Sequence, residues 1–234
     1  MSFCVHCTTG FSLPGTPKGT IERLGPYDTY IASPPSGADV DEDRAIYYAY
    51  DAFGLSEDMP NNKLIPDILA EKLGMRVYVP DVFEGQGISP ATMSMPSTAS
   101  EARSASFFTK VSNNLRMLKI VPWFISHRPG TKLANLQEWF SAVEEAKGVQ
   151  SWGATSYCYG AKPSLHFNAQ GKLKAHVLCH PSFVAADDIK AVKAPCMFLC
   201  ADEDPIFTEA LKSEAEKILK ERQDVKFEFH SYPK

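Results

Sequence analysis

From Asp43 onward, short runs of apolar residues alternate with longer stretches whose apolar positions recur every three to four residues. Strands buried on both faces read as continuous apolar runs, and the helices crossing between them keep one apolar stripe, so this alternation predicts a parallel sheet flanked by helices. Strands are expected at Thr20–Arg23, Thr29–Ala32, Ala45–Tyr50, Arg76–Val79, Val149–Thr155, Ala175–Cys179, Cys196–Cys200 and Val225–His230. Helices are expected at Lys63–Leu73, Leu133–Ala146, Gly160–Asn168 and Glu209–Arg222, the last with Leu211, Ala215, Ile218 and Leu219 on one face. Two stretches break the rhythm. Gln86–Glu101, rich in Ser, Pro, Met and Thr, reads as a surface loop entering a helical segment Ser104–Ile120, and Trp123–Thr131 reads as the link to the next helix. Cys4–Gly19 reads as coil packed over the sheet before a first hairpin. No repeat or linker divides the chain, so one α/β domain spanning residues 1–234 is expected, with a mostly parallel central sheet and helices on both faces.

Composition narrows the partners. A net charge of -4, with Lys and Arg scattered, provides no basic stripe for a phosphate backbone and no polybasic membrane patch, so neither nucleic acid nor a membrane is an expected partner. The N-terminus lacks a basic region followed by an apolar one, and no stretch approaches the roughly 18 apolar residues of a membrane span. A cytoplasmic protein with reduced thiols is the reading, because Cys179, Cys196 and Cys200 lie in or beside strand-like runs. Cys4-Val5-His6-Cys7 has a C-x-x-C spacing, but no second short Cys/His pair follows, so no metal site is assigned; no cofactor motif is read either. Monomer and dimer both stay open.

The candidate chemistry centres on Ser156-Tyr157-Cys158-Tyr159-Gly160-Ala161, between an apolar run and a short helix. A strand that turns sharply into a helix holds a nucleophile in a strained conformation and needs small residues two before and two after it, as Ser156 and Gly160 are. Cys158 would then sit at a helix N-terminus, where the dipole favours thiolate, and nearby amides can donate to an oxyanion.

This stretch resembles the Gly-x-Cys-x-Gly-Gly elbow of dienelactone hydrolases, with Ser156 and Ala161 in place of two glycines. Asp51-Ala52-Phe53-Gly54-Leu55 resembles the family's Glu-or-Asp-x-Phe-Gly-Leu segment. The resemblance implies an α/β-hydrolase fold, amides of Ala52 and Tyr159 as the oxyanion hole, Asp51 facing the thiol, and Phe53 beside it in the pocket. Pro80-Asp81-Val82-Phe83 resembles the family's Pro-Asp-x-aromatic turn; Glu84 and Gly85 stand where members acting on a small anionic lactone carry an arginine, which disfavours that substrate here. Ala201-Asp202-Glu203-Asp204-Pro205-Ile206 resembles the Gly-x-x-Asp-x-Phe segment and makes Asp204 the acid member, with Asp202 and Glu203 as rivals by proximity. His180-Pro181-Ser182 resembles a segment of fungal-type members and is expected to line the pocket.

The family places its histidine after a Tyr-Pro pair; here Tyr232-Pro233 is followed by Lys234 alone, so a chain truncated before the catalytic histidine is expected. His230, the one histidine after Asp204, falls inside the last strand and is a poor substitute base. The resemblance implies cleavage of a small-molecule lactone or ester through Cys158, without a cofactor. The alternative is a catalytically silent α/β-hydrolase-fold binding protein.

Overall fold

The structure, a computed structural model, describes residues 13–57, 59–89, 120–202, 204 and 206–232. Its strands are β1 (Thr20–Leu24), β2 (Tyr27–Ala32), β3 (Asp41–Ala49), β4 (Met75–Pro80), β5 (Ser151–Tyr157), β6 (Leu173–Cys179), β7 (Cys196–Ala201) and β8 (Phe227–Tyr232). They form one sheet in the order β1-β2-β4-β3-β5-β6-β7-β8. The β1/β2 and β2/β4 pairs are antiparallel, and every pair from β4 to β8 is parallel. The helices are α1 (Asn61–Leu73), α2 (Leu133–Lys147), α3 (Ala161–Ala169), α4 (Ala186–Lys190) and α5 (Glu209–Lys220). This is the mostly parallel α/β architecture expected.

Alternation along β3 places the helices. Successive strand residues face opposite sides, and Tyr47 packs on Trp139 and Phe140 of α2 with ring centroids 5.5 and 5.2 Å away. Its neighbour Tyr48 instead reaches Asn62 of α1, 3.4 Å from its hydroxyl. Helices therefore cover both faces. The α2 side is an aromatic layer in which Phe140 also meets Trp152 and Phe167 at 5.0 and 4.8 Å. Trp139 keeps its indole N–H satisfied by donating to Thr29 Oγ1 at 2.9 Å, so its large apolar surface is buried without an orphaned donor.

Several boundaries differ from the sequence reading. β3 starts at Asp41, ahead of its apolar run, because the charged residues Asp41–Arg44 extend past a register shift toward the sheet's end. β5 runs through Tyr157, two residues beyond expectation, because its parallel pairing continues to Tyr157↔Cys179. Trp123 lies within a helical segment, residues 120–126, and a 3-10 turn over Pro129–Lys132 follows, so most of the anticipated link is helical. Residues 13–19 touch both α1 and the sheet: Leu13 N–H donates to Asn61 and Lys18 N–H to Asp67, each at 2.8 Å, and Gly19 N–H donates to the Tyr30 hydroxyl of β2 at 2.7 Å. The expected helix Ser104–Ile120, except its last residue, lies outside the described residues, as do Cys4, His6 and Cys7. Among the described residues, no helix is long and apolar enough to cross a membrane.

Candidate active site

The chain leaves β5 extended at Tyr157 (φ -125°), and Cys158 takes φ +48° before a 3-10 turn runs into α3. A left-handed backbone costs a non-glycine residue roughly 1–2 kcal/mol, so it persists only where its surroundings hold it. Gly160 supplies part of that hold. A Cβ there would lie 2.2 Å from the Ala49 carbonyl oxygen, which means the start of α3 is pressed against the end of β3. The Ala49↔Ser156 register completes the arrangement by bringing the segment after β3 alongside the turn after β5. Ser156 fits although it is not glycine: its side chain points at β6, with Oγ 2.9 Å from His176 Nε2 and 3.3 Å from the Val177 carbonyl. Burial pushes the His176 imidazole down to about 3, so that ring is neutral.

On the next strand, β6 ends at Cys179 and the chain turns at His180 with φ +37°. His180 N–H donates to the Leu199 carbonyl of β7 at 2.9 Å, and Ser182 N–H donates to the Cys158 carbonyl at 3.0 Å. Ser182 Oγ lies 3.2 Å from Cys158 Sγ. Burial alone would lower the His180 pKa; the Cys158 sulfur, by hydrogen bond and charge, and the Asp51 and Asp204 carboxylates outweigh it and raise the value to about 9. Sequence reasoning placed His180 in the pocket but missed the contact made by Ser182. The signal was faint: a His-Pro-Ser turn at a strand's carboxyl end.

Asp51 stands at the end of β3. Its Oδ1 accepts from Phe53 N–H at 2.9 Å and from Asn62 Nδ2 at 3.1 Å. Burial raises its pKa to about 6; the Asn62 bond pulls against that rise, and the charge at Cys158 adds to it. The carbonyl of Ala52 accepts Ile88 N–H at 2.9 Å, and Ala52 and Phe53 are buried with Ile88 and Ile120. Tyr159 is buried and donates its hydroxyl to the His127 carbonyl at 2.7 Å. Phe83, Trp123, Tyr159 and Phe183 make an aromatic wall beside this turn, with centroids 4.8 Å apart for Phe83–Trp123, 4.9 Å for Phe83–Tyr159 and 6.2 Å for Tyr159–Phe183.

After β7, buried Asp204 folds back on its own loop, its Oδ1 accepting the amides of Ile206 and Phe207 at 2.7 and 3.0 Å. Asp202 N–H donates toward β8, to the Tyr232 carbonyl at 3.2 Å, and Glu203 lies outside the described residues. His230 is on β8, separated from β5 by two intervening strands, and its ring meets Glu228 at 2.9 Å. The Pro80-Asp81 segment is a turn: Asp81 accepts the Gly85 amide at 2.8 Å and the Tyr50 hydroxyl at 3.1 Å. Among the described residues, no group of three or more His, Cys, Asp or Glu side chains is placed to hold a metal ion.

Comparison with known proteins agrees with this architecture. The family profile described as "Dienelactone hydrolase family" matches residues 27–234. "Hydrolase pyvD" of Aspergillus violaceofuscus is 28% identical over 92% of this chain and 76% of its own length. "Dienlactone hydrolase 1" of Gibberella moniliformis is 26% identical over 93% of this chain and 76% of its own. Among solved structures, a dienelactone hydrolase from Klebsiella pneumoniae superposes with a TM-score of 0.59 at 17% identity, covering 89% of this chain and 80% of its own. At that identity the likeness establishes the fold, which is that of the α/β hydrolases.

Proposed function

This chain belongs to the dienelactone hydrolase family, a family of hydrolases, and on that premise we propose that it cleaves an uncharged ester or lactone through a Cys158 thiolate. The observation that carries the reading is Cys158 itself, held at φ +48° between a central strand and a helix, with its sulfur facing a histidine and a serine. Nucleophiles are strained in this way because the turn lifts the side chain clear of the sheet and points the following amides at the reacting carbonyl. Attack forms a C–S bond and an oxyanion that the amides of Ala52 and Tyr159 receive; the alcohol leaves, and water releases the acyl group from the thioester. The Asp204 carboxylate supplies negative charge to the imidazole side of the site. Asp51, Phe53 and the aromatic wall define the pocket. An apolar acyl or lactone ring suits that wall, and Glu84 at the neighbouring turn opposes a substrate carboxylate.

The test is hydrolysis of p-nitrophenyl acetate by the protein and by Cys158→Ala. Loss of several orders of magnitude in the variant is expected. A wild-type rate no higher than that of Cys158→Ala would sink the hydrolase reading and leave the silent binding protein.

A further inference from the structure

We propose that Ser182, in the turn after β6, is a catalytic residue whose hydroxyl donates to the Cys158 sulfur and stabilises it as the attacking and departing thiolate. The inference rests on the cysteine chemistry proposed above and deepens it. Two bonds join Ser182 to the elbow: its amide donates to the Cys158 carbonyl at 3.0 Å, and its hydroxyl oxygen lies 3.2 Å from Cys158 Sγ. One residue thus grips both the backbone and the side chain of the nucleophile. The pairing of β5 with β6 ends at Tyr157↔Cys179, so the two turns leave the sheet at the same level. Ser182 stands between two fixed points. The His180 amide donates to Leu199 of β7 at 2.9 Å, and the Phe183 ring packs 6.2 Å from Tyr159 and 5.9 Å from Phe124. The same grip helps to hold Cys158 at its positive φ, a conformation that persists only where its surroundings impose it.

Ser182 is 2% exposed, and among the described residues its hydroxyl has the sulfur as its one partner. Serines elsewhere in the chain turn their hydroxyls to backbone carbonyls, as Ser126 does to Pro122, Ser141 to Gln137 and Ser164 to Gly160. A turn serine with a purely local task would do likewise. A thiol sulfur is a weak acceptor, whereas a thiolate carries full charge and accepts strongly, so a buried hydroxyl with this one partner favours the ionised sulfur. The hydroxyl keeps its own proton throughout. Negative charge leaves the sulfur as the C–S bond forms and returns to it when the thioester breaks, and the same fixed donor meets that charge before the first step and after the last.

The experiment compares the wild-type chain with Ser182→Ala, which removes the hydroxyl and keeps the amide that bonds Cys158. Alkylation of Cys158 by iodoacetamide is followed across pH, reading the Cys158 peptide by mass spectrometry. Loss of a hydrogen bond to a charged acceptor should move the half-maximal pH of alkylation upward by about 1–2 pH units in the variant. Asp51 at the end of β3, His180 after β6 and Asp204 after β7 share the field of the site and are present in both proteins, so their contributions cancel in the comparison. For p-nitrophenyl acetate, kcat/KM should fall about tenfold or more at about pH 7 and recover toward the wild-type value as the pH approaches about 9. Superimposable alkylation profiles, or activity lost equally at every pH, would overturn the role and leave Ser182 a structural residue. An alkylation shift together with full hydrolysis in Cys158→Ala would uphold the donation to sulfur and overturn the reaction it serves. Where Ser182→Ala does not fold, Ser182→Cys, of similar size and a weaker donor, should show a smaller upward shift, and an unshifted profile there refutes the proposal.

Discussion

Replacing Cys158 by alanine and, separately, by glycine isolates the cost of the elbow. Both substitutions remove the sulfur and its contacts with Ser182 and His180, so the difference between them reports the backbone alone. At φ +48°, the alanine Cβ crowds the following carbonyl at a cost of about 1–2 kcal/mol. Glycine escapes that cost but loses more chain entropy on folding, about 0.5–1 kcal/mol. The balance favours glycine by about 0.5–1 kcal/mol. With a urea m-value of about 2–3 kcal/mol/M, Cys158→Gly should unfold about 0.3 M later than Cys158→Ala with the slope unchanged. Lys174, exposed within β6 and outside the positive-φ set, provides the control, and there the alanine variant should be the more stable of the pair. If alanine at 158 matches or exceeds glycine, Cys158 is not held in a left-handed conformation and the account of the strained nucleophile fails.

Three further outcomes are expected. Gly160→Ala drives a Cβ to 2.2 Å from the Ala49 carbonyl oxygen, a backbone contact that cannot rotate away; a loss of about 1–3 kcal/mol in thermal unfolding should accompany a drop in ester hydrolysis, and an unchanged melting temperature would refute the tight α3–β3 approach. Asp51 has its pKa raised from 3.8 to about 6, so folding favours its protonated form and its ionisation weighs against stability above that range but not below about pH 4. Asp51→Asn should therefore be the more stable protein at about pH 7.5 by about 1–3 kcal/mol, with the gain vanishing toward about pH 4; urea midpoints showing equal gains at both pH values would contradict the buried carboxylate. Ser156→Ala leaves His176 Nε2 without its hydroxyl partner in a ring whose Nδ1 already lacks one among the described residues, and a cost of about 1–3 kcal/mol is expected by calorimetry; a change below about 0.5 kcal/mol would mean that bond contributes nothing.

The sheet and the elbow were legible because hydropathy writes them locally. An apolar run, a small residue, Cys158, Gly160 and a short helix are consecutive in the chain, and the structure keeps that order as β5, a turn and α3. What hydropathy does not encode is which strands become neighbours. The contact between His180 and Cys158 depends on β6 docking beside β5, and the Ser182 contacts depend on the turn that follows. Neither residue stands out by type, since His and Ser are ordinary turn residues. The charged first half of β3 was missed because Asp41–Arg44 carry no apolar signal, and α4 was missed because five residues are too few to display a helical period. Asp204 was selected by resemblance, and its amide bonds to Ile206 and Phe207 belong to loop geometry that composition does not reveal.

The left-handed backbone carries an evolutionary consequence. Among the described residues, the non-glycine positions with positive φ are Glu84, Cys158, His180 and Phe183, and all follow the carboxyl ends of β4, β5 and β6. Drift under selection for folding alone would move such sites toward glycine or asparagine, which adopt that backbone at little cost. A lineage that abandoned the chemistry should therefore lose these side chains before it loses its aromatic layer. Their joint replacement in a descendant would date the end of catalysis more sensitively than any change in the sheet.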